Sequence, residues 1–72
     1  MQRFGEKLRA LRKRREMTMR QLAKALDFAT HGYIGDLESG RAKPSLELAL
    51  KIAIFFNISI DQLARDELGL DD

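Results

Sequence analysis

Cysteine is absent and histidine occurs once, so the chain has neither a disulfide framework nor a cluster of metal ligands. An apolar core alone must hold it. A glycine-rich phosphate loop is missing too, and the carboxylates are scattered rather than set as an acid–base pair. These absences argue against an enzyme and against a metal or other cofactor, and no small-molecule ligand is evident. No apolar run approaches the roughly 20 residues that cross a bilayer. The longest, near Ile52 to Phe56, is short and falls inside a helical pattern. The N-terminus does not read as a signal peptide, and a cytoplasmic setting is expected. Proline occurs once and 44% of the 72 residues are apolar, so the chain should fold. Its length suits a single domain, residues 1–68, followed by a short acidic tail, 69–72.

Charge is nearly balanced in total, net +2, but not in position. Residues 1–24 hold nine Lys/Arg against Glu6 and Glu16, whereas residues 47–72 hold Lys51 and Arg65 against six acids. A basic half and an acidic end suit one side that faces a polyanion and one that avoids it, although a merely solvated surface carries such charges too.

The organising stretch is Thr18 to Gly40. Thr18 and Gln21 form a capping box that starts a helix at Met19, with Leu22, Ala23 and Leu26 on one face. Asp27 breaks this run and Phe28 anchors a turn. Thr30 is a candidate N-cap for a further helix, about residues 31–38, whose inner face is Ile34 and Leu37. Two short helices meeting through a tight turn have the spacing of a helix-turn-helix.

Around them the pattern predicts three more helices. Gln2 to about Arg15 repeats Phe4, Leu8 and Leu11 at helical spacing, with basic residues on its other faces. The Lys13-Arg14-Arg15 run complements that helix's dipole, and one or two of its cations are available for phosphate. Gly40 and Pro44 bound a loop, and Ser45 caps a helix from Leu46 to Phe56 that is apolar nearly all round. Asn57 suits a left-handed terminator. Ser59 and Gln62 make a second capping box for a last helix, Ile60 to about Glu67, after which the chain should fray. The fold class is therefore all-α, five short helices.

With these words in place, MTMRQLAKAL, YIGDLESGRAKPSLELALKIA and ISIDQL, the chain resembles the phage-repressor class of helix-turn-helix proteins, the Cro, lambda and 434 repressor type also called XRE. The likeness covers about residues 4–65. It implies a compact five-helix lambda-repressor-like domain, sequence-specific binding to double-stranded DNA through the third helix in the major groove, transcriptional regulation by repression, and a homodimer. A protein-binding adaptor or antitoxin-like module is the alternative use of the same fold.

The resemblance also assigns residues. Arg12 would pair with Glu38 to fix the recognition helix, unless the two are independent surface charges. Met19 and Arg20 stand at the phosphate-contacting start of the second helix, Met19 in place of a usual glutamine. The turn carries one residue more than the common spacing, in Asp27-Phe28-Ala29, with Asp27 where a left-handed glycine is usual. Groove-facing positions become Thr30, His31, Gly32, Tyr33, Gly35 and Asp36, with Ser39 at the end of the helix. That set has no Arg, Lys, Asn or Gln for bidentate base contacts. His31 is either a base contact or an exposed turn residue, and Tyr33 reaches phosphate and sugar or lies on the core. The two glycines allow close approach or are simply small. Asp36 must meet a cytosine amino group or turn away from DNA. Arg41 and Lys43, in the loop beyond, are the expected phosphate contacts. A dimer would use Ile54, Phe55 and Leu68, unless the last helix covers them.

Overall fold

The computed structural model describes residues 1–28 and 30–71. They form α1 (Phe4–Arg14), α2 (Met19–Ala25), α3 (Gly32–Ser39), α4 (Leu46–Phe56) and α5 (Ile60–Ala64), with no strand among the described residues. Local chemistry explains most of the boundaries. Thr18 Oγ1 accepts the Gln21 N–H at 3.0 Å while Gln21 Oε1 accepts the Thr18 N–H at 2.8 Å, and Ser59 with Gln62 repeats the arrangement at 3.0 Å each way. Ser45 Oγ accepts the Leu48 N–H at 3.1 Å. Gly40 (φ 84°) and Asn57 (φ 56°, ψ 46°) close α3 and α4 in the left-handed conformation.

Phe4, Leu8 and Leu11 of α1 meet Leu22 and Leu26, Ile34 and Leu37, Ile52 and Phe56, and Leu63 in one buried cluster. Lys7 lies in that cluster's wall, 1% exposed, instead of on the basic surface where its charge had placed it. Its Nζ donates to the carbonyls of Gln62 at 2.6 Å and Arg65 at 2.8 Å. A buried ammonium needs such acceptors, and the end of a helix has carbonyls without partners. This contact accounts for α5 stopping at Ala64, three residues short of the expected end, with Arg65 in extended backbone (ψ 118°).

The segment after α5 does not fray through residue 71. Asp66 reaches back to the start of α1, whose N-cap position, Arg3, provides no side-chain cap. The Asp66 carboxylate accepts the Arg3 N–H at 2.9 Å and the Gln2 N–H at 3.0 Å, and Arg3 Nη1 donates to the Asp66 carbonyl at 2.8 Å. Gln62 Nε2 donates to the Leu70 carbonyl at 3.1 Å, Leu70 packs against the core, and Arg14 grips Asp71 through two 3.1 Å bonds. Most of the supposed tail is thus part of the fold; Asp72 lies outside the described residues.

The Arg3 and Gln2 amides hold the Asp66 carboxyl below its ordinary value of 3.8. A depressed folded value stabilises the fold above the unfolded pKa and ceases to do so as pH falls through the folded one. Asp66→Asn is therefore expected to lower the urea midpoint at neutral pH and to match wild type in strong acid, where both side chains are neutral. Equal midpoints at neutral pH would remove this cap from the account.

Candidate nucleic-acid interface

α2 turns into α3 through a pinned corner. Asp27 takes the left-handed conformation (φ 63°), as its place in the turn requires, and the Phe28 N–H reaches the Ala23 carbonyl at 2.8 Å. The rings of Phe28 and Tyr33 then meet edge to face, centroids 5.2 Å apart and planes at 72°, and both pack on the core. Tyr33 therefore braces the corner. Ala29, within the lengthened turn, lies outside the described residues.

α3 begins one residue later than expected, and its N-cap is His31, not Thr30. His31 makes no side-chain cap. Thr30 and His31 instead line an open groove of about 470 Å³ together with Arg20, Lys24, Asp27 and Phe28. Along α3, Ile34 and Leu37 are buried and His31, Gly32 and Ser39 are exposed, with Tyr33, Gly35, Asp36 and Glu38 half-buried.

Met19 is not a polar contact. It packs against the core, its Sδ only 3.6 Å from where a Gly35 Cβ would sit. Gly35 accordingly forms a seat for Met19 instead of a clear approach to a ligand. Ordinary van der Waals space remains there, so Gly35→Ala should gain close to the helix-propensity difference of about 0.8–1 kcal/mol. A fall in thermal stability would show that the seat is tighter than this.

Two contacts fix α3 against α1. Arg12 Nε donates to Glu38 Oε2 at 2.7 Å and Nη2 to Oε1 at 3.1 Å, while Nη1 donates to the Met17 carbonyl at 2.9 Å. The side chains are 10% and 4% exposed, so the pair is largely withdrawn from water. Hydrogen bonding to Glu38 raises the Arg12 pKa above the usual arginine range, so the guanidinium stays charged. The second contact was not anticipated from sequence. A Cβ on Gly5 would fall 2.5 Å from the Leu37 carbonyl oxygen and 2.6 Å from that of Glu38. The two helix backbones approach as closely there as glycine alone allows.

At the far end of α3, Asp36 is turned toward Arg41. Its Oδ1 is 3.5 Å from Arg41 Nε, which donates to Ser39 Oγ at 3.2 Å, and Ser39 Oγ donates to the Asp36 carbonyl at 3.2 Å. The carboxylate is thereby partly neutralised and the guanidinium held at the helix end. Lys43 is exposed farther along the loop, beside Met1, Gln2 and Pro44.

The cations of α1 divide sharply. Arg14 is committed to Asp71, and the Arg15 guanidinium lies 5.0 Å above the Phe55 ring and 4.8 Å above that of Phe56. Of the Lys13-Arg14-Arg15 run only Lys13 has no such partner among the described residues; Arg9, Arg20 and Lys24 share that condition. Phe55 is half-buried beneath Arg15 and Leu68 is half-buried, whereas Ile54 is open to solvent. The expected interface of Ile54, Phe55 and Leu68 is thus not one exposed patch.

A family model described as Helix-turn-helix matches residues 8–63. The HTH-type transcriptional activator BcrR of Enterococcus faecalis is 38% identical over 64 residues, covering 89% of this chain and 31% of that protein. The uncharacterized HTH-type transcriptional regulator YobD of Bacillus subtilis is 36% identical over 69 residues, 96% of this chain and 57% of that protein. The ImmF control region 10 kDa protein of Bacillus phage phi105 is 35% identical over 68 residues, 89% of this chain and 74% of that protein. The chain thus spans about a third to just over half of BcrR and YobD. No solved structure gives a significant match. With the α2–turn–α3 geometry, these matches identify the chain as a member of the XRE-type helix-turn-helix family, a family of DNA-binding transcription regulators. Among the described residues no helix is long and apolar enough to cross a membrane, and no cluster of His, Cys, Asp and Glu could hold a metal.

Proposed function

We propose that the chain is a sequence-specific DNA-binding regulator, not an enzyme, which acts in the cytoplasm as a homodimer with α3 in the major groove. The observation that carries this reading is the placement of exposed cations at both ends of α3. Arg20 and Lys24 line the groove at its start beside His31, and Arg41 is held at its finish. A duplex lying along α3 meets positive charge at each end, which is how phosphate contacts set the register of a reading helix. With no bidentate side chain on α3, His31 and Thr30 are the remaining groove-side polar groups, and shape-dependent readout carries more of the discrimination.

Titrating random and selected duplexes against salt tests this. Arg41→Ala or Lys43→Ala should weaken binding to all sequences about equally and reduce the log–log salt slope by roughly one. A change of sequence preference with an unchanged slope would make the residue a base reader. The adaptor alternative is favoured by one observation, the polar poverty of α3, and a wild-type protein that fails to shift random DNA at low salt would select it. Repression follows from the resemblance, while the relative BcrR is a transcriptional activator by name. A reporter driven through the selected site decides between the two directions: transcription should fall when the protein is present.

A further inference from the structure

α4 carries an apolar row that the fold itself leaves open. Leu46, Leu50 and Ile54 are 69%, 43% and 78% exposed, while Leu48, Ala49, Ile52, Ala53 and Phe56 of the same helix close the core. Spacing by four residues aligns the three along the helix, forming a ridge of the kind that interdigitates with a like ridge on a crossing helix. Next to the row stand Glu47 and Lys51, both exposed, the acid toward the start of the helix and the base toward its end.

We propose that this face pairs two copies of the chain, α4 against α4, antiparallel about a two-fold axis passing near Leu50. The charges choose the occupant and its direction. In a parallel pair the two-fold would carry Glu47 and Lys51 of one copy to the opposite flank from those of the other, so no charge pair would form across the contact. Reversing one helix turns each Glu47 toward Lys51 of the second copy, brings Leu46 against Ile54, and stacks Leu50 on Leu50. The surface is therefore complementary to itself, as an isologous contact must be. Three side chains cover well under the roughly 800 Å² per partner of a stable complex, so this dimer dissociates readily and closes when two copies are held near one another. Antiparallel α4 helices also send the two Arg41–Pro44 loops, and the α3 helices before them, to opposite ends of the contact. The inference deepens the homodimer reading above and rests on it for its role on DNA, but the contact itself needs no DNA.

Because the chain has no cysteine, single-cysteine variants treated with a short bismaleimide give a clean test. All the positions are exposed, and circular dichroism verifies that each variant keeps its helices. Leu50→Cys should link to itself. Leu46→Cys and Ile54→Cys should each link poorly alone and several-fold better when mixed. Glu67→Cys, far along the chain, sets the background. Glu47→Lys should reduce Leu50→Cys linking, and adding Lys51→Glu should restore it. Stronger self-linking of Leu46→Cys and Ile54→Cys than of their mixture would overturn the antiparallel register. Linking no better than Glu67→Cys at near-millimolar protein would overturn the contact altogether. Binding of the Ile54→Lys variant to random duplex separates this from the DNA reading: an unchanged salt slope per chain leaves that reading standing whatever the cross-links show, and its loss in wild type removes the DNA reading while any cross-links remain.

Discussion

Arg12→Ala is expected to lower the melting temperature by about 12 °C or more. Removing one partner of a buried, hydrogen-bonded ion pair costs about 3–5 kcal/mol, because the other charge is left without a counterion in a site closed to water. Glu38 is 4% exposed and would lose both its short bonds, and the Met17 carbonyl would lose its donor at the entry to α2. A domain of this size is stabilised by about 4–11 kcal/mol in total, so the loss is a large part of the whole. Each kcal/mol moves the midpoint of such a domain by about 4–8 °C. The double variant Arg12→Met/Glu38→Leu should recover much of the loss, since it leaves no charge buried. Thermal melts followed by circular dichroism read both; an Arg12→Ala midpoint within 2–3 °C of wild type would show that the pair adds nothing.

Gly5→Ala should be comparably damaging, although a methyl group on a helix ordinarily helps. The helix-propensity gain of about 1 kcal/mol is opposed by a Cβ placed 2.5 and 2.6 Å from two backbone oxygens of α3, which no rotamer change can relieve. Overpacking of this kind costs 1–3 kcal/mol and more where backbone must move, so the clash wins. Relief requires the end of α3 to slide away from α1, carrying Ser39 and the Arg41 loop with it. Affinity for DNA should therefore fall beyond what the loss of folded protein explains. Gly5→Ser should follow the same course, and Gly35→Ala, with space at 3.6 Å, should not. Full stability and affinity in Gly5→Ala would show that the helices separate at little cost.

How much of this was legible in the sequence follows from how local each interaction is. Capping boxes at Thr18 and Ser59, the cap at Ser45 and the left-handed residues Asp27, Gly40 and Asn57 are decided within three or four residues, so all five helices could be read off, and α2, α4 and α5 with their starts, whereas α1 begins two residues later than its apolar spacing suggested. Thr30 failed as a cap where the corner is set by the ring of Phe28 packing against Tyr33 inside the helix. The length of α5 could not be read locally either, since Lys7, 55 residues from its acceptor Gln62, ends it. A signal for Lys7 did exist. It stands three residues after Phe4 and four before Leu11, on the apolar face, where an ammonium must find carbonyls. Counting it with the surface cations overlooked its phase. Gly5 left no such trace, because a missing side chain acquires meaning only when a second backbone approaches. At the interface itself, the residue types and the bend were visible, but Met19 lying on Gly35 and Asp36 turning to Arg41 depend on how α2 and α3 pack.

The central claim is that α3 and the loop behind it form the surface that meets a duplex. Titrating ¹⁵N-labelled protein with a random DNA duplex at low salt, and following backbone amide shifts, tests it most directly. The account predicts that the perturbed amides gather at the start of α2, at His31 to Asp36 and at Ser39 to Lys43, with Leu50 and Ile54 following only where two copies share a duplex, while those of α5 stay in place. Shifts concentrated on α4, or on Asp66 to Asp71 against α1, with His31 and Arg41 unmoved, would contradict it.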